Sequence, residues 1–288
     1  MNKLHLNLGG GKIYQIANRT KIQMMSYIII TENNKMVIID GGNPCPEDAL
    51  NLRKMIIENG GSVEAWFITH AHIDHFGALY WLMENIKPFD IKINSIYYNF
   101  PPAIWLKEKK KFDPNYEMQI DGFLNGIIKN SIKVITPKAG NIIKIDNIKI
   151  EILNDCDNYQ NYATINDTSI CILVYFPNKR ILFLADLEEA GGKNYIENYD
   201  VSKLKCDIVQ MAHHGQSGVN EEFYSYVKPK ICLYTAPDWL WENDVELFRK
   251  TGSNRNSGPW KTLETREWMR KIDVLASCPI AYGDYLFD

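Results

Sequence analysis

Three histidines and one aspartate fall within six residues at His70-Ala71-His72-Ile73-Asp74-His75. The chain holds only 6 histidines, and two more are adjacent at His213-His214. Five of the 6 therefore sit in two tight clusters, each behind an apolar run. Neutral imidazole and carboxylate suit a borderline divalent ion such as zinc, at about 2.0–2.2 Å. His70 and His72, two residues apart, can aim at one ion from a turning loop. Asp74 and His75 then fall on the far side of the turn and can serve a second. Two ions roughly 3.5–4 Å apart can share a bridging hydroxide. Metal binding lowers the pKa of that water toward neutrality, which makes a nucleophile without a catalytic serine or cysteine.

Other side chains must complete such a site. Asp186 ends the apolar run Ile181-Leu182-Phe183-Leu184-Ala185 and is placed to bridge two ions. His213 and His214 follow the run 207–212; one should ligate and the other should face substrate. The working assignment puts His213 on the metal and gives His214, with Asp74, the catalytic role; the exchange of the two histidines stays open. Gly215 permits close backbone approach beside them. Asp40 precedes Gly41-Gly42 and can hydrogen-bond a ligand histidine from behind.

These residues need elements to carry them. Residues 25–31 are β-branched and aromatic and predict a strand, with a second at 36–39 after the turn at 32–35. Pro46-Glu47-Asp48 reads as a first helical turn, with Asn59-Gly60-Gly61 as its stop. Residues 63–69 predict a buried strand, 70–77 a polar loop and 78–86 a helix. A strand at 91–98 and a helix at 113–130 come next. Strands then crowd at 132–136, 141–145, 147–153, 168–176 and 180–185, before further alternation to about 271. Such alternation argues for sheets covered by helices.

The order of these motifs is similar to that of the metallo-β-lactamase superfamily. Asp40-Gly41-Gly42, the HxHxDH at 70–75, Asp186 and His213-His214-Gly215 carry the resemblance, which spans roughly residues 25–288. It implies an α/β fold, a four-layer αββα sandwich with the metal site at the edge of its two sheets, and one domain over 1–288. It also implies His70 and His72 on one ion, Asp74, His75 and one of His213 and His214 on the other, and Asp186 between them. The family usually has a further histidine between the HxHxDH and the bridging aspartate. None lies between His75 and His213 here; Asn166-Asp167-Thr168-Ser169 stands instead. In this, and in Gln210-Met211-Ala212-His213-His214-Gly215, the chain resembles the soluble domain of bacterial DNA-uptake competence proteins. Asn166 or Asp167 then becomes a candidate substitute ligand, and the first ion is expected to be held more weakly.

The implied function is a metal-dependent hydrolase that uses a metal-bound hydroxide, acting first on phosphoesters or phosphodiesters. Carbonyl compounds (a lactone, thioester or lactam) are the alternative, and a non-catalytic metal-bound scaffold the second. One or two divalent ions are expected, zinc first, with manganese or iron as alternatives. The partner is a small-molecule or short phosphodiester substrate, with nucleic acid as a further option; oligomeric state is left unassigned.

Composition narrows the classes. With 288 residues, 45% hydrophobic and 23% charged, the chain can bury a sizeable core and is not a disordered one. A net charge of -3 argues against a nucleic-acid coat or a polybasic membrane binder. No apolar run approaches the roughly 18 residues that span a bilayer, and the first residues lack a signal-peptide core, so no membrane partner and a cytoplasmic location are expected. The 6 cysteines are scattered without a CxxC and read as buried small hydrophobes. The basic run 107–111 reads as a solvated face, and the aromatic segments 100–105 and 239–241 as core or rim packing. Gly9-Gly10-Gly11-Lys12 lacks the spacing of a phosphate loop.

Overall fold

A computed structural model describes residues 1–110, 113, 115–252 and 258–288; Lys111 of the basic run lies outside the described residues. Two sheets of 8 and 7 strands form the centre. In the first, Met36–Ile39 pairs antiparallel with Tyr27–Ile30 and parallel with Ala65–Phe67. In the second, an antiparallel meander from Ile142–Ile145 to Arg180–Phe183 continues in parallel through Ile208–Gln210, Ile231–Tyr234 and Ala276–Pro279.

Strand side chains alternate between faces, which sorts the apolar runs into separate cores. Tyr27, Ile29, Val37, Ile39 and Phe67 meet Ile150, Ile172, Val174, Ile181 and Phe183 between the sheets. Ile28, Ile30, Ile38 and Trp66 point the other way, under the helices Pro46–Glu58, Ile73–Asn85 and Tyr116–Lys129. Leu173, Leu182, Val209 and Tyr234 pack under Glu189–Asn198, Glu221–Val227 and Thr262–Lys271. The layers are therefore αββα. Strands buried on both faces explain why Tyr27-Ile28-Ile29-Ile30 and Met36-Val37-Ile38-Ile39 read as unbroken apolar runs. Among the described residues, no helix is long and apolar enough to cross a membrane. All 6 cysteines are free, and all but Cys45 are buried.

Several expectations about the elements need correction: the strand expected at 91–98 forms only Lys92–Ile93 and Ile96–Tyr97, and the one expected at 168–176 forms only Ile172–Tyr175, after a turn that includes Thr168. The strand expected at 63–69 divides into Ser62–Val63 and Ala65–Phe67, because Val63 pairs with Ile93 in a separate two-stranded sheet while Ala65 joins the large one. The expected loop at 70–77 ends early: the helix starts at Ile73, so Asp74 and His75 lie in its first turn. Gly77, the last residue of that expected loop, is helical. Its missing side chain lets the helix lie against the segment after Met36–Ile39, where Ala78 N donates to Gly42 O at 2.9 Å.

Alanine in place of a helical glycine ordinarily stabilises by about 1 kcal/mol. At Gly77 a Cβ would stand 2.6 Å from Pro44 Cδ and 2.9 Å from Gly42 O. Gly77→Ala is therefore expected to lose about 1–3 kcal/mol, seen as a lower urea midpoint with unchanged slope. A midpoint at or above that of the wild type would refute this packing account.

Candidate metal centre

The ligand candidates come from the carboxyl ends of neighbouring strands in both sheets. Asp40 follows Met36–Ile39, and His70 and His72 follow Ala65–Phe67. Asp186 follows Arg180–Phe183, and His213 and His214 follow Ile208–Gln210. Two sets of donor atoms result, each lying within 4.8 Å: Asp74, His75, Asp186 and His214 in one, and His70, His72 and Asp186 in the other. Asp186 belongs to both. Its Oδ2 lies 3.3 Å from His75 Nε2, 3.4 Å from His214 Nε2 and 3.9 Å from His70 Nε2.

Hydrogen bonds behind the imidazoles fix which nitrogen faces the centre. The Thr69 hydroxyl donates to Asp40 Oδ2 at 2.8 Å, and its oxygen accepts from His70 Nδ1 at 3.2 Å. His75 Nδ1 donates to the same Asp40 oxygen at 2.7 Å, and His214 Nδ1 donates to Thr235 Oγ1 at 2.8 Å. Each of the three rings thereby turns Nε2 inward. His72 instead offers Nδ1, 3.1 Å from His70 Nε2. Partners of this kind raise ligand basicity and hold ring orientation.

Nε2 of His75, Nε2 of His214 and Oδ1 of Asp186 are buried without a hydrogen-bond partner among the described residues. Buried polar atoms are normally paired. Unpaired nitrogens and a carboxylate oxygen converging in one place fit a divalent cation, and the imidazole–carboxylate donor set fits it chemically.

His213 lies differently. Its side chain is 17% exposed where that of His214 is fully buried. Its Nδ1 meets Ser217 Oγ at 2.8 Å and Glu188 Oε1 at 3.3 Å, while Asn166 Nδ2 donates to Nε2 at 3.3 Å. His213 belongs to neither donor set. Asn166 also donates to Glu188 Oε1 at 2.9 Å. Asp167 accepts from Thr164 Oγ1 and from the Gly191 amide in the first turn of the next helix, so both its oxygens are engaged. Neither Asn166 nor Asp167 is part of the three-residue set.

Strain and a side-chain staple hold the loops. Asp40, Ala185, His213 and His214 have φ of 58°, 51°, 48° and 57°, a region that L-residues occupy at a cost and that clusters at functional sites. Gln210 Oε1 accepts from the Leu184 and Ala185 amides at 2.9 and 2.7 Å, and His213 N donates to Ala185 O at 2.8 Å. The Asp186 and His213–His214 loops are thus tied to each other.

Burial and charge act on these groups in opposite senses. Burial, with His75 nearby, holds His70 well below the usual imidazole range; burial, with Lys110, takes His72 down to about 3. Burial also opposes a charge on His214, but Asp186 and Asp74 outweigh it and push that ring up to about 9. His75 is likewise raised, against burial, by Asp186, Asp40 and Asp74. Burial pushes the Asp40 carboxyl up as well. Three donors at 2.7–2.8 Å favour the carboxylate, so we take the ionised pair as the state present.

Sequence reasoning did not find Thr235, Ser217 or Glu188. Thr235 lies 21 residues from His214 and only the parallel pairing of Ile208–Gln210 with Ile231–Tyr234 brings it close. Glu188 stands two residues after Asp186 and looks like an ordinary acid at a helix start, where it is indeed the N-cap residue.

The family model described as Metallo-beta-lactamase superfamily matches residues 21–248. No match is found among the curated proteins. Among solved structures, the metallo-beta-lactamase fold protein YhfI from Bacillus subtilis is similar with a TM-score of 0.53 at 9% identity, over 96% of this chain and 99% of that one. CmlA, a diiron beta-hydroxylase from Streptomyces venezuelae, is similar with a TM-score of 0.53 at 12% identity, over 93% of this chain. The match covers 52% of the CmlA chain. At such identities these two likenesses speak to the fold.

Zinc uptake is expected in two unequal steps, since one set offers four side chains and the other three. The steps should also differ in proton linkage. A raised imidazole pKa means that metal must displace a proton at neutral pH, so filling the four-residue set releases about two protons. Its affinity then climbs about tenfold per pH unit for each proton displaced, levelling for His214 above about 9. His70 and His72 are already neutral at pH 7, so the three-residue set should fill with no release from its imidazoles and at most the one proton lost by a shared water. Calorimetric titration in buffers of different ionisation heat measures both. Equal steps with equal proton release would contradict this assignment.

Proposed function

The chain belongs to the metallo-β-lactamase superfamily, and from that premise we propose that it is a metal-dependent hydrolase of phosphoesters, with small or short phosphodiesters as its substrates. The observation that carries this reading is the Asp186 carboxylate shared by two sets of ligand atoms. Divalent ions bound there supply an acidified water as nucleophile and positive charge for the attacking and leaving oxygens of an in-line displacement. Zinc is the proposed ion; the same donors accept manganese or iron.

The chain's own residues do the rest. His70, His72, Asp74, His75, Asp186 and His214 are the proposed ligands, with Asp40 orienting His75. Asp74 also faces the adjoining cleft, which suits it to orient the attacking water. The working assignment of the paired histidines is exchanged: His214, fully buried between Asp74 and Asp186, is the proposed ligand. His213, partly exposed and braced by Glu188 and Ser217, is the proposed group that donates a proton to the leaving oxygen or binds a phosphoryl oxygen. The likeness to the competence-protein domain supports a phosphodiester over a carbonyl substrate, with nucleic acid kept as a larger alternative. A lactone or thioester is the second reading, favoured by the apolar side chains Ile22 and Ile73 in the same cleft. A cytoplasmic location is part of the proposal.

His214→Ala is expected to abolish tight metal binding and activity together. His213→Ala should keep the metal but lower kcat on a model phosphodiester by about 10²–10⁴-fold. Metal content by elemental analysis, with steady-state kinetics on a model phosphodiester and a model lactone, tests both points. Turnover of the lactone alone, with zinc, manganese and iron each supplied, would overturn the phosphoester reading. Loss of metal in His213→Ala rather than His214→Ala would restore the first assignment.

A further inference from the structure

Beside the metal centre lies a cleft of about 550 Å³, with Asp74 and His213 in its lining. That size is within the roughly 300–1,000 Å³ of small-molecule sites. Much of its remaining wall is not what a bare phosphate requires. Trp239, Phe248 and Trp260 contribute three rings from the second half of the chain. Their centroids form one cluster, 4.8 Å for Trp239–Phe248, 4.8 Å for Trp239–Trp260 and 5.2 Å for Phe248–Trp260. Ile22 and Ile73 add aliphatic surface from the first half.

The two halves of the wall are joined. The Trp239 indole N–H donates to the Lys21 carbonyl at 2.7 Å. The segment that carries Lys21 and Ile22 is held from below: the buried Asn43 amide donates to Gln23 O at 3.0 Å, and the buried Asp48 accepts from the Arg19 amide and the Thr20 hydroxyl. A cleft braced in this way is preformed, which limits the ordering cost of binding. Aromatic faces recognise other flat rings by offset or edge packing. Lys21 in the same lining provides a cation for an anionic substituent.

We propose that the substrate is a small anionic ester carrying one aromatic or heteroaromatic ring system, bound with that ring against Trp239, Phe248 and Trp260 and its scissile end toward Asp74 and His213. This deepens the hydrolase reading and rests on it for the chemistry at the scissile end. Trp260 is the specificity residue that can be altered most safely, being only partly buried, whereas Trp239 is core.

The test uses the zinc-loaded full chain and two matched pairs of ligands that cannot be hydrolysed: methylphosphonate with phenylphosphonate, and acetate with phenylacetate. Calorimetry should find the phenyl member of at least one pair bound about tenfold tighter. Trp260→Ala should reduce that preference to about twofold with zinc content unchanged, and Trp260→Phe should retain most of it. Thr251→Trp, which fills the cleft from another lining position, should abolish it while all three rings are kept. The proposal is overturned if phenyl and aliphatic members of both pairs bind alike, if neither phenyl ligand binds, or if the preference survives in both Trp260→Ala and Thr251→Trp. A preference seen with phenylacetate while neither phosphonate binds upholds the ring site and counts against the phosphoester reading instead.

Discussion

A carboxylate sealed from water must be matched by positive charge or by donors, and Asp186 is the group on which that demand falls hardest. It is 2% exposed, one of its oxygens has no hydrogen-bond partner among the described residues, and four imidazoles stand within 3.9 Å of the other. Taking one ionised group into a protein interior costs several kcal/mol after relaxation, on the order found for buried ion pairs. Asp40 and Asp74 bring two further carboxylates to the same place. Two raised histidines against three acids leave the cluster short of positive charge, while His70 and His72 are kept neutral by burial. A divalent cation held by Asp186, His75 and His214 would supply the deficit and pair those nitrogens. The electrostatics, more than any single distance, make this a metal site rather than a polar core.

The rest of the fold serves to hold that charge arrangement in position. Ligands arise from both sheets, so the inter-sheet core of Ile39, Phe67, Ile181 and Phe183 sets how closely the two groups of strand ends approach. Four ligand or support residues have left-handed backbones, a cost of about 1–3 kcal/mol each that the surrounding contacts must outweigh. Gln210 is central here. It follows the apolar pair Ile208-Val209, points its amide at the neighbouring loop, and serves the backbone at Leu184, Ala185 and Met211 at once. The Tyr234 ring packs where a side chain at Gly215 would stand, so the turn after the paired histidines admits only glycine.

Most of the proposed ligand set was legible in the sequence because its spacing is local. An HxHxDH segment brings its members together with little help from the fold, and a buried strand before it anchors the start. The helix boundary was not legible, since Gly77 serves as a break in one context and as a contact surface in another, and only Pro44 and Gly42 decide between them. The roles of His213 and His214 were not legible either. Adjacent residues, both with left-handed backbones, differ in burial, and the partners that separate them, Thr235 and Glu188, come from different strands and loops. The aromatic wall was visible only as Trp239-Leu240-Trp241, read as packing. Trp239 and Trp241 do lie in the core, and what the sequence concealed is that Trp239 reaches Phe248 and Trp260 at the rim of the centre.

The position without a third histidine is where local chemistry and fold diverge. In its place runs the turn Asn166–Thr168, whose side chains serve neighbours: Asp167 the start of the helix Glu189–Asn198, Asn166 the pair Glu188 and His213. What the three-residue set lacks in ligands, the adjoining imidazole gains in support, because His213 is contacted by Asn166, Glu188 and Ser217 together. An ion held by fewer side chains keeps more of its coordination open to substrate. A braced imidazole on the cleft side loses less freedom when it engages that substrate. On the proposed roles, the same turn would both weaken one ligand set and orient His213 beside it.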